Sequence, residues 1–259
     1  MVTTKKNKSS NPQTRKNTIT KTDTIIFVDD NLEDNIKPFR KHLPSIKSIL
    51  VSDKKPYSQI LKGQPASYYP IMYLKKYKDN TLAQESISID PYTNTGQGIS
   101  ISGINKIIKW ANQINPNQRT ILFDWDKTIS VLGGIFLPNI NKNASDAAKF
   151  FSGTTERFLA LQKMFFQLHK NNITCYIFTN NQFGNSIKGN EIRFNYFLQM
   201  VQVLDPHINK SNIIYGNANK VKTFKENKEL MNLYRMSQSG RTRTRSRGLG
   251  LSRSSRKYP

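Results

Sequence analysis

Residues 121–128 read ILFDWDKT, and residues 24–31 read TIIFVDDN. Each is a short apolar run that stops abruptly at paired acids. A chain of formal charge +23 with only 17 acidic residues places four of them at these two points. Short apolar runs bounded by polar residues read as strands buried on both faces. Carboxylates at the tips of two such strands repel each other unless a positive charge lies between them. The pair of segments therefore predicts adjacent strands that share a cation.

Outward from these segments, strand-like and helix-like stretches alternate. NLEDNIKPFRKHL reads as a helix after the first strand, and IKSILVSD (46–53) as a second strand. Residues 54–101 are rich in Tyr, show no clear periodicity, end in TNTGQGIS and are expected to form an irregular insertion. INKIIKWANQI puts Ile104, Ile107, Ile108 and Ala111 on one helical face, ahead of the strand RTILFDWD. TTERFLALQKMFFQLHKNN carries Phe158, Leu161, Phe165 and Leu168 at helical spacing, with Thr154 or Thr155 as cap, and leads into the strand ITCYIFTNN. A helix over about 190–204, with Phe194, Phe197, Met200, Val201 and Leu204 on one side, the strand NIIYG (212–216) and a final helix near 221–235 complete the series. This alternation predicts an α/β fold, a Rossmann-like, mainly parallel sheet in three layers. Ligands of such sheets bind beyond the carboxyl ends of the strands, where DD, DWD and TNN all fall.

Composition divides the chain into one domain and two tails. Residues 23–235 read as a single α/β domain, with 54–101 as its insertion or linker. Residues 1–22 hold six Lys or Arg, and the stretch from 235 onward holds eight, including RTRTRSRG, with no acid in either. Segments so poor in apolar residues do not offset their ordering entropy, so 1–22 and 236–259 are expected to be disordered. Their charge offers a grip on a nucleic-acid phosphate backbone, and the competing reading is a solubilising or localisation tail. No apolar stretch approaches the roughly 20 residues of a membrane span, and the N-terminus lacks an apolar signal region. A soluble intracellular protein, cytoplasmic or nuclear, without membrane contact is the expectation. The single cysteine, Cys175, lies inside ITCYIF and reads as core, with no disulfide framework and no thiolate metal site expected. His42, His169 and His207 have no metal-ligand spacing and read as surface or packing residues.

FDWDKT resembles the DxDxT signature of the haloacid dehalogenase-like phosphohydrolases. FTNN is similar to that family's second motif, a strand ending in Thr or Ser, and FVDDN to its fourth, a strand ending in paired acids. A lysine after the next strand would be the third. The order departs from the family, because the acidic pair comes first here. A circular permutation accounts for this: moving the fourth and fifth strands to the front leaves every spatial neighbour unchanged. IKSILVSD then acts as the fifth strand, 54–101 becomes the new linker, and the opened connection falls between the two tails.

The resemblance implies a role for each matching residue. Asp124 is the nucleophile that forms an aspartyl-phosphate, and Asp126 is the general acid and base. Thr128 orients the turn. Thr179, with the start of a helix at Asn180 and Asn181, holds phosphoryl oxygens. Lys220 neutralises charge at Asp124 and the phosphoryl group, with Lys222 as the alternative. The cofactor is Mg²⁺, since every donor on offer is an oxygen, and its expected ligands are Asp29, Asp124, Asp126 and Asp30, the last directly or through water. The structural alternative is that Asp29 and Asp30 merely cap the following helix. Lys127 stands where many relatives carry a small residue.

About 44 residues separate DWDKT from ITCYIF. A turn or hairpin (VLGGIFLP) and helix fill them, leaving little room for a cap domain. The reading is an Mg²⁺-dependent phosphomonoester phosphatase open to large phosphorylated substrates, nucleic-acid ends among them. Tyr57, Tyr68, Tyr69, Tyr73 and Tyr77, interleaved with lysines, are candidates for stacking on bases, although tyrosines more often anchor a loop to its own domain. The alternative from another class is a non-catalytic nucleic-acid-binding or structural protein that retains the fold.

Overall fold

The computed structural model describes residues 25–52, 72–75, 98–112, 119–131, 143–217 and 219–246. Six strands form one sheet: β1 (Ile25–Asp29), β2 (Lys47–Ser52), β3 (Met72–Lys75), β4 (Arg119–Phe123), β5 (Ile173–Thr179) and β6 (Ile213–Tyr215). Their order across the sheet is β3-β2-β1-β4-β5-β6, and every neighbouring pair is parallel. β1 and β4 are therefore partners in the middle of the sheet, Val28 opposite Phe123, although more than ninety residues separate them. This is the adjacency that the acid-tipped runs predicted.

The strands are apolar on both faces because helices cover both. Ile26, Val28, Ile121, Phe123, Cys175 and Ile177 point into the larger core, which contains residues of α2 (Ile101–Asn112), α3 (Ala144–Ser152), α4 (Thr155–Lys170) and α5 (Glu191–Leu204). Their alternates Ile25, Phe27, Leu122, Tyr176 and Phe178 face α1 (Lys37–His42), α6 (Lys220–Glu226) and α7 (Lys228–Ser246). That second core is built on aromatics, with Phe39 stacked on Phe27 at 4.1 Å and edge-on to Phe224 at 5.7 Å. All four apolar positions expected along α4 are buried, and Thr154 is its cap, accepting from the Arg157 N–H at 3.2 Å.

Three sequence expectations need correction. The region 54–101 is not irregular throughout: Met72–Lys75 adds a parallel edge strand to β2, a pairing that four residues without periodicity do not announce. NLEDNIKPFRKHL is helical from Leu32 through His42 as expected, although its first turn, Leu32–Ile36, is wider than an α-turn and is closed by an Ile36 N–H to Asn31 O bond of 3.0 Å, so that only α1, with Pro38 in its first turn, is regular. The final helix is two, separated at Asn227, whose side chain caps the second by accepting from the Leu230 N–H at 3.0 Å. That second helix runs on to Ser246, so the stretch expected to be tail from 236 begins as helix. Residues 1–22, 132–138 of the expected hairpin, 247–259 and Tyr57, Tyr68, Tyr69 and Tyr77 lie outside the described residues, as does the side chain of Tyr73. Among the described residues no helix is long and apolar enough to cross a membrane.

Candidate active site at the carboxyl end of the sheet

The parallel ladder between β1 and β4 continues one step past its last paired strand residues, through an Asp124 N–H to Val28 O bond of 2.9 Å. Asp29 and Asp124 thus leave the sheet side by side. Both are buried, together with Thr179 at the end of β5 and Lys220 at the start of α6. The Lys220 ammonium donates to Asp29 Oδ2 at 2.8 Å and to Asp124 Oδ1 at 2.6 Å. It stands over the rings of Phe27 and Phe178 at 5.7 and 5.8 Å, so the end of the aromatic core forms its floor. Lys222, the alternative, is exposed and lies 3.9 Å from Glu226. Two residues, about half a turn of helix, separate a buried lysine from a solvated one.

Asp29 is anchored from its own loop. The Asn31 N–H donates to Oδ1 at 2.7 Å, and the buried Asn35 amide donates to both oxygens at 3.0 and 3.1 Å. The helix-cap alternative therefore falls to Asn31, whose side chain accepts from the Asp34 N–H at 3.0 Å. One carboxylate oxygen from each of Asp29, Asp30 and Asp124 lies within 4.8 Å of the others. Asp126 is not part of this close set. Its Oδ1 accepts from the Asn181 amide at 3.1 Å, because β4 gives way to a turn over Trp125–Ile129 that carries the second acid of the motif toward β5.

Charge in the cluster is not balanced by one lysine. Burial raises the Asp124 carboxyl well above its ordinary range, Lys220 pulls it back, and Asp29, Asp126 and Asp30 add to the rise. Lys220 is held above the ordinary lysine range: burial acts to lower it, and the attraction of Asp124 and Asp29 outweighs that. The two directions pull against each other across one contact. The lysine's is the firmer, since two carboxylates hold it charged while Asp124 has neighbours of both signs. Three close carboxylates against one ammonium leave negative charge over, and an all-oxygen donor set suits a hard divalent cation such as Mg²⁺. The residues fit that group.

Thr179 and the asparagines depart from expectation. No helix begins at Asn180; a single short turn over Gln182–Gly184 follows, and α5 starts only at Glu191. Asn181 caps that turn through the Phe183 N–H at 3.0 Å, while its own N–H donates to Thr179 Oγ1 at 3.0 Å. Helix-dipole help for an anion is therefore small here, and donors come from side chains and the loop. Asn180 is exposed, with its amide oxygen against Gly216, where any Cβ would collide with it and come within 2.8 Å of Lys220 Cγ. Glycine is required there by close approach. Thr128 orients its turn through its carbonyl, which accepts from the Ile99 N–H at 2.8 Å, and its buried hydroxyl has no partner among the described residues.

Two contributors carry no plain sequence signal. Asn35 reaches Asp29 from inside the wide turn, six residues on. Arg157, fully buried, donates to the carbonyls of Ile99 (2.8 Å), Ser152 (2.9 Å), Ile129 (2.7 Å) and Thr128 (3.3 Å), tying the motif loop to the start of α4. Its only trace is an arginine next to Phe158 on a face that turns inward.

Fold and site together define an α/β protein with a buried lysine–carboxylate cluster at the carboxyl ends of its central parallel strands. No family model, curated protein or solved structure matches the chain.

Proposed function

We propose that the protein is an Mg²⁺-dependent phosphohydrolase of the haloacid dehalogenase-like type, circularly permuted, acting through an aspartyl-phosphate. The observation that carries this reading is Lys220, which bridges Asp29 and Asp124, residues 191 and 96 positions away, at the tips of neighbouring strands. The order β2-β1-β4-β5-β6 is the one that the permutation requires for the fifth strand followed by the strands bearing motifs four, one, two and three.

The chemistry follows from these residues. Lys220 orients Asp124 through Oδ1, and Oδ2 attacks phosphorus while the bond to the leaving oxygen breaks. Asp126, steered by Asn181, gives its proton to that oxygen. It then takes a proton from the water that attacks phosphorus, the acyl-phosphate bond breaks, and phosphate leaves with Asp124 restored. Thr179, Asn180 and the loop donors hold phosphoryl oxygens. Bound Mg²⁺, on Asp29, Asp30 and Asp124, supplies positive charge for the phosphoryl oxygens.

Helices α3 and α4 take up 144–170, leaving too few residues between Val131 and Asn143 for a cap domain. This favours large phosphorylated substrates, with nucleic-acid ends suited to the basic chain. The test is release of p-nitrophenol from p-nitrophenyl phosphate with Mg²⁺ or with EDTA. Turnover is expected only with metal, and to fall at least about a thousandfold in Asp124→Asn and in Asp29→Asn. A folded protein that binds Mg²⁺ and turns over neither this nor a 5′-phosphorylated oligonucleotide would displace the phosphatase in favour of a binding protein.

A further inference from the structure

About 13 Å along β5 from Thr179, at four residues of extended rise, the strand carries a second cluster that the proposed reaction does not use. Cys175 is buried in the larger core between Ile173 and Ile177. His169 lies in the last turn of α4, and Asp205 is the residue on which α5 ends. Both helices pack on the same face of the sheet, and their carboxyl ends converge over the amino half of β5. One donor atom from each of His169, Cys175 and Asp205 lies within 4.8 Å of the other two.

Asp205 has no exposed surface. Its Oδ2 pairs with His169 Nε2 at 2.8 Å, and its Oδ1 accepts the His207 N–H at 3.1 Å. The His207 ring stands 4.5 Å from that of His169. The bland account is an imidazole that satisfies a buried carboxylate, with a thiol nearby by chance. It leaves a buried acid in a poor place. Helix carboxyl ends carry partial negative charge, which disfavours a carboxylate and favours a cation, and burying a carboxylate is costly unless its charge is met.

We infer that His169, Cys175 and Asp205 form a three-ligand site for a Zn²⁺-like divalent metal, with solvent in the fourth position. Sulfur and imidazole donors select such an ion over Mg²⁺, so the two ends of β5 would not compete for one metal. Bonds of about 2.0–2.3 Å in a tetrahedron put ligand atoms roughly 3.3–3.8 Å apart, so the 2.8 Å contact of His169 with Asp205 opens to admit the ion, within a set whose atoms already lie inside 4.8 Å. One thiolate and one carboxylate neutralise the ion. The thiol proton goes to solvent on binding. The His169 side chain is 21% exposed and His207 is exposed, which gives the ion a path from the surface. A lone cysteine excludes an all-thiolate site but not this mixed one, whose ligands come together only by tertiary packing.

The probe is Co²⁺, which reports a thiolate ligand by a near-ultraviolet charge-transfer band and tetrahedral geometry by strong visible bands. The full chain, stripped with chelator, is titrated with Co²⁺ and then with Zn²⁺. One equivalent is expected to produce both bands and Zn²⁺ to remove them. Cys175→Ser should abolish the charge-transfer band. Should that core variant fail to fold, His169→Gln, at a partly exposed position, carries the test, with Co²⁺ affinity falling at least tenfold. Absence of the thiolate band at stoichiometric Co²⁺, or affinity unchanged in His169→Gln, overturns the assignment. Asp124→Asn must keep the bands; their loss there would place the metal in the acidic site instead.

Discussion

At its carboxyl end β5 delivers Thr179 into a ring of carboxylates, amides and one lysine, whereas its amino half delivers Cys175 beside an imidazole and a single carboxylate. The strand is the same, and its flanks differ. Beyond the carboxyl ends of parallel strands the chain turns into loops whose N–H groups and side-chain amides meet negative charge, as Asn31, Asn35 and Asn181 do. At the amino ends helices finish, and their carbonyls meet positive charge. Buried acids are thus surrounded by donors at one end and stand against a helix terminus at the other. The same contrast runs along α4, which holds Arg157 near its start and His169 in its last turn.

The hardest test of this contrast removes the donor at the carboxyl end. Lys220→Met leaves Asp29 and Asp124 buried without their shared cation, and a loss of about 3–5 kcal/mol in urea unfolding is expected. Mg²⁺ should restore part of it, since the ion takes the place of the ammonium charge. A loss below 1 kcal/mol would mean that water reaches the cluster freely. Arg157→Met comes next: it preserves bulk but deprives four carbonyls of a donor, and about 3 kcal/mol is expected by the same measurement. Turnover should fall with it, because the loop carrying Asp126 loses its tie to α4. His169→Gln should leave turnover unchanged, and a parallel drop would show that the two ends are coupled.

Gly216→Ala probes packing rather than charge. The added methyl would displace Asn180 and press on Lys220, and overpacking of this kind costs about 1–3 kcal/mol. The expected signature is a rise in KM for p-nitrophenyl phosphate larger than the loss in urea midpoint would suggest, since Asn180 is assigned to the substrate. An unchanged KM would remove Asn180 from that role.

What the sequence disclosed follows from which signals are local. Apolar runs ending in acids marked β1 and β4, and alternation with helical periodicity implied the parallel sheet that pairs them. The choice between Lys220 and Lys222 was half legible: their spacing allowed either, and only packing of Val221 and Phe224 against the sheet turns Lys220 inward. Asn35 and Arg157 were hidden because a polar residue announces no partner until the chain folds. β3 was missed because an edge strand of four residues lacks a pattern, and the His169, Cys175 and Asp205 group because its spacings follow no metal-binding motif.

The smallest expected effect concerns Lys127, the residue that breaks the regularity of DWDKT. Its backbone lies at φ 55°, ψ 13°, the left-handed region that the turn needs to carry Asp126 toward Asn181. A residue with a Cβ is strained there by roughly 1–2 kcal/mol, and glycine relieves the strain while adding freedom to the unfolded chain. Lys127→Gly is therefore expected to gain up to about 1 kcal/mol, and Lys127→Val, whose branched Cβ tolerates this conformation worst, to lose a similar amount. Urea midpoints that order Gly above Lys above Val would tie the position to backbone geometry alone. Equal stability for Gly and Val would mean that the turn relaxes, and turnover should then fall in Val because Asp126 no longer stands at a fixed distance from Asn181.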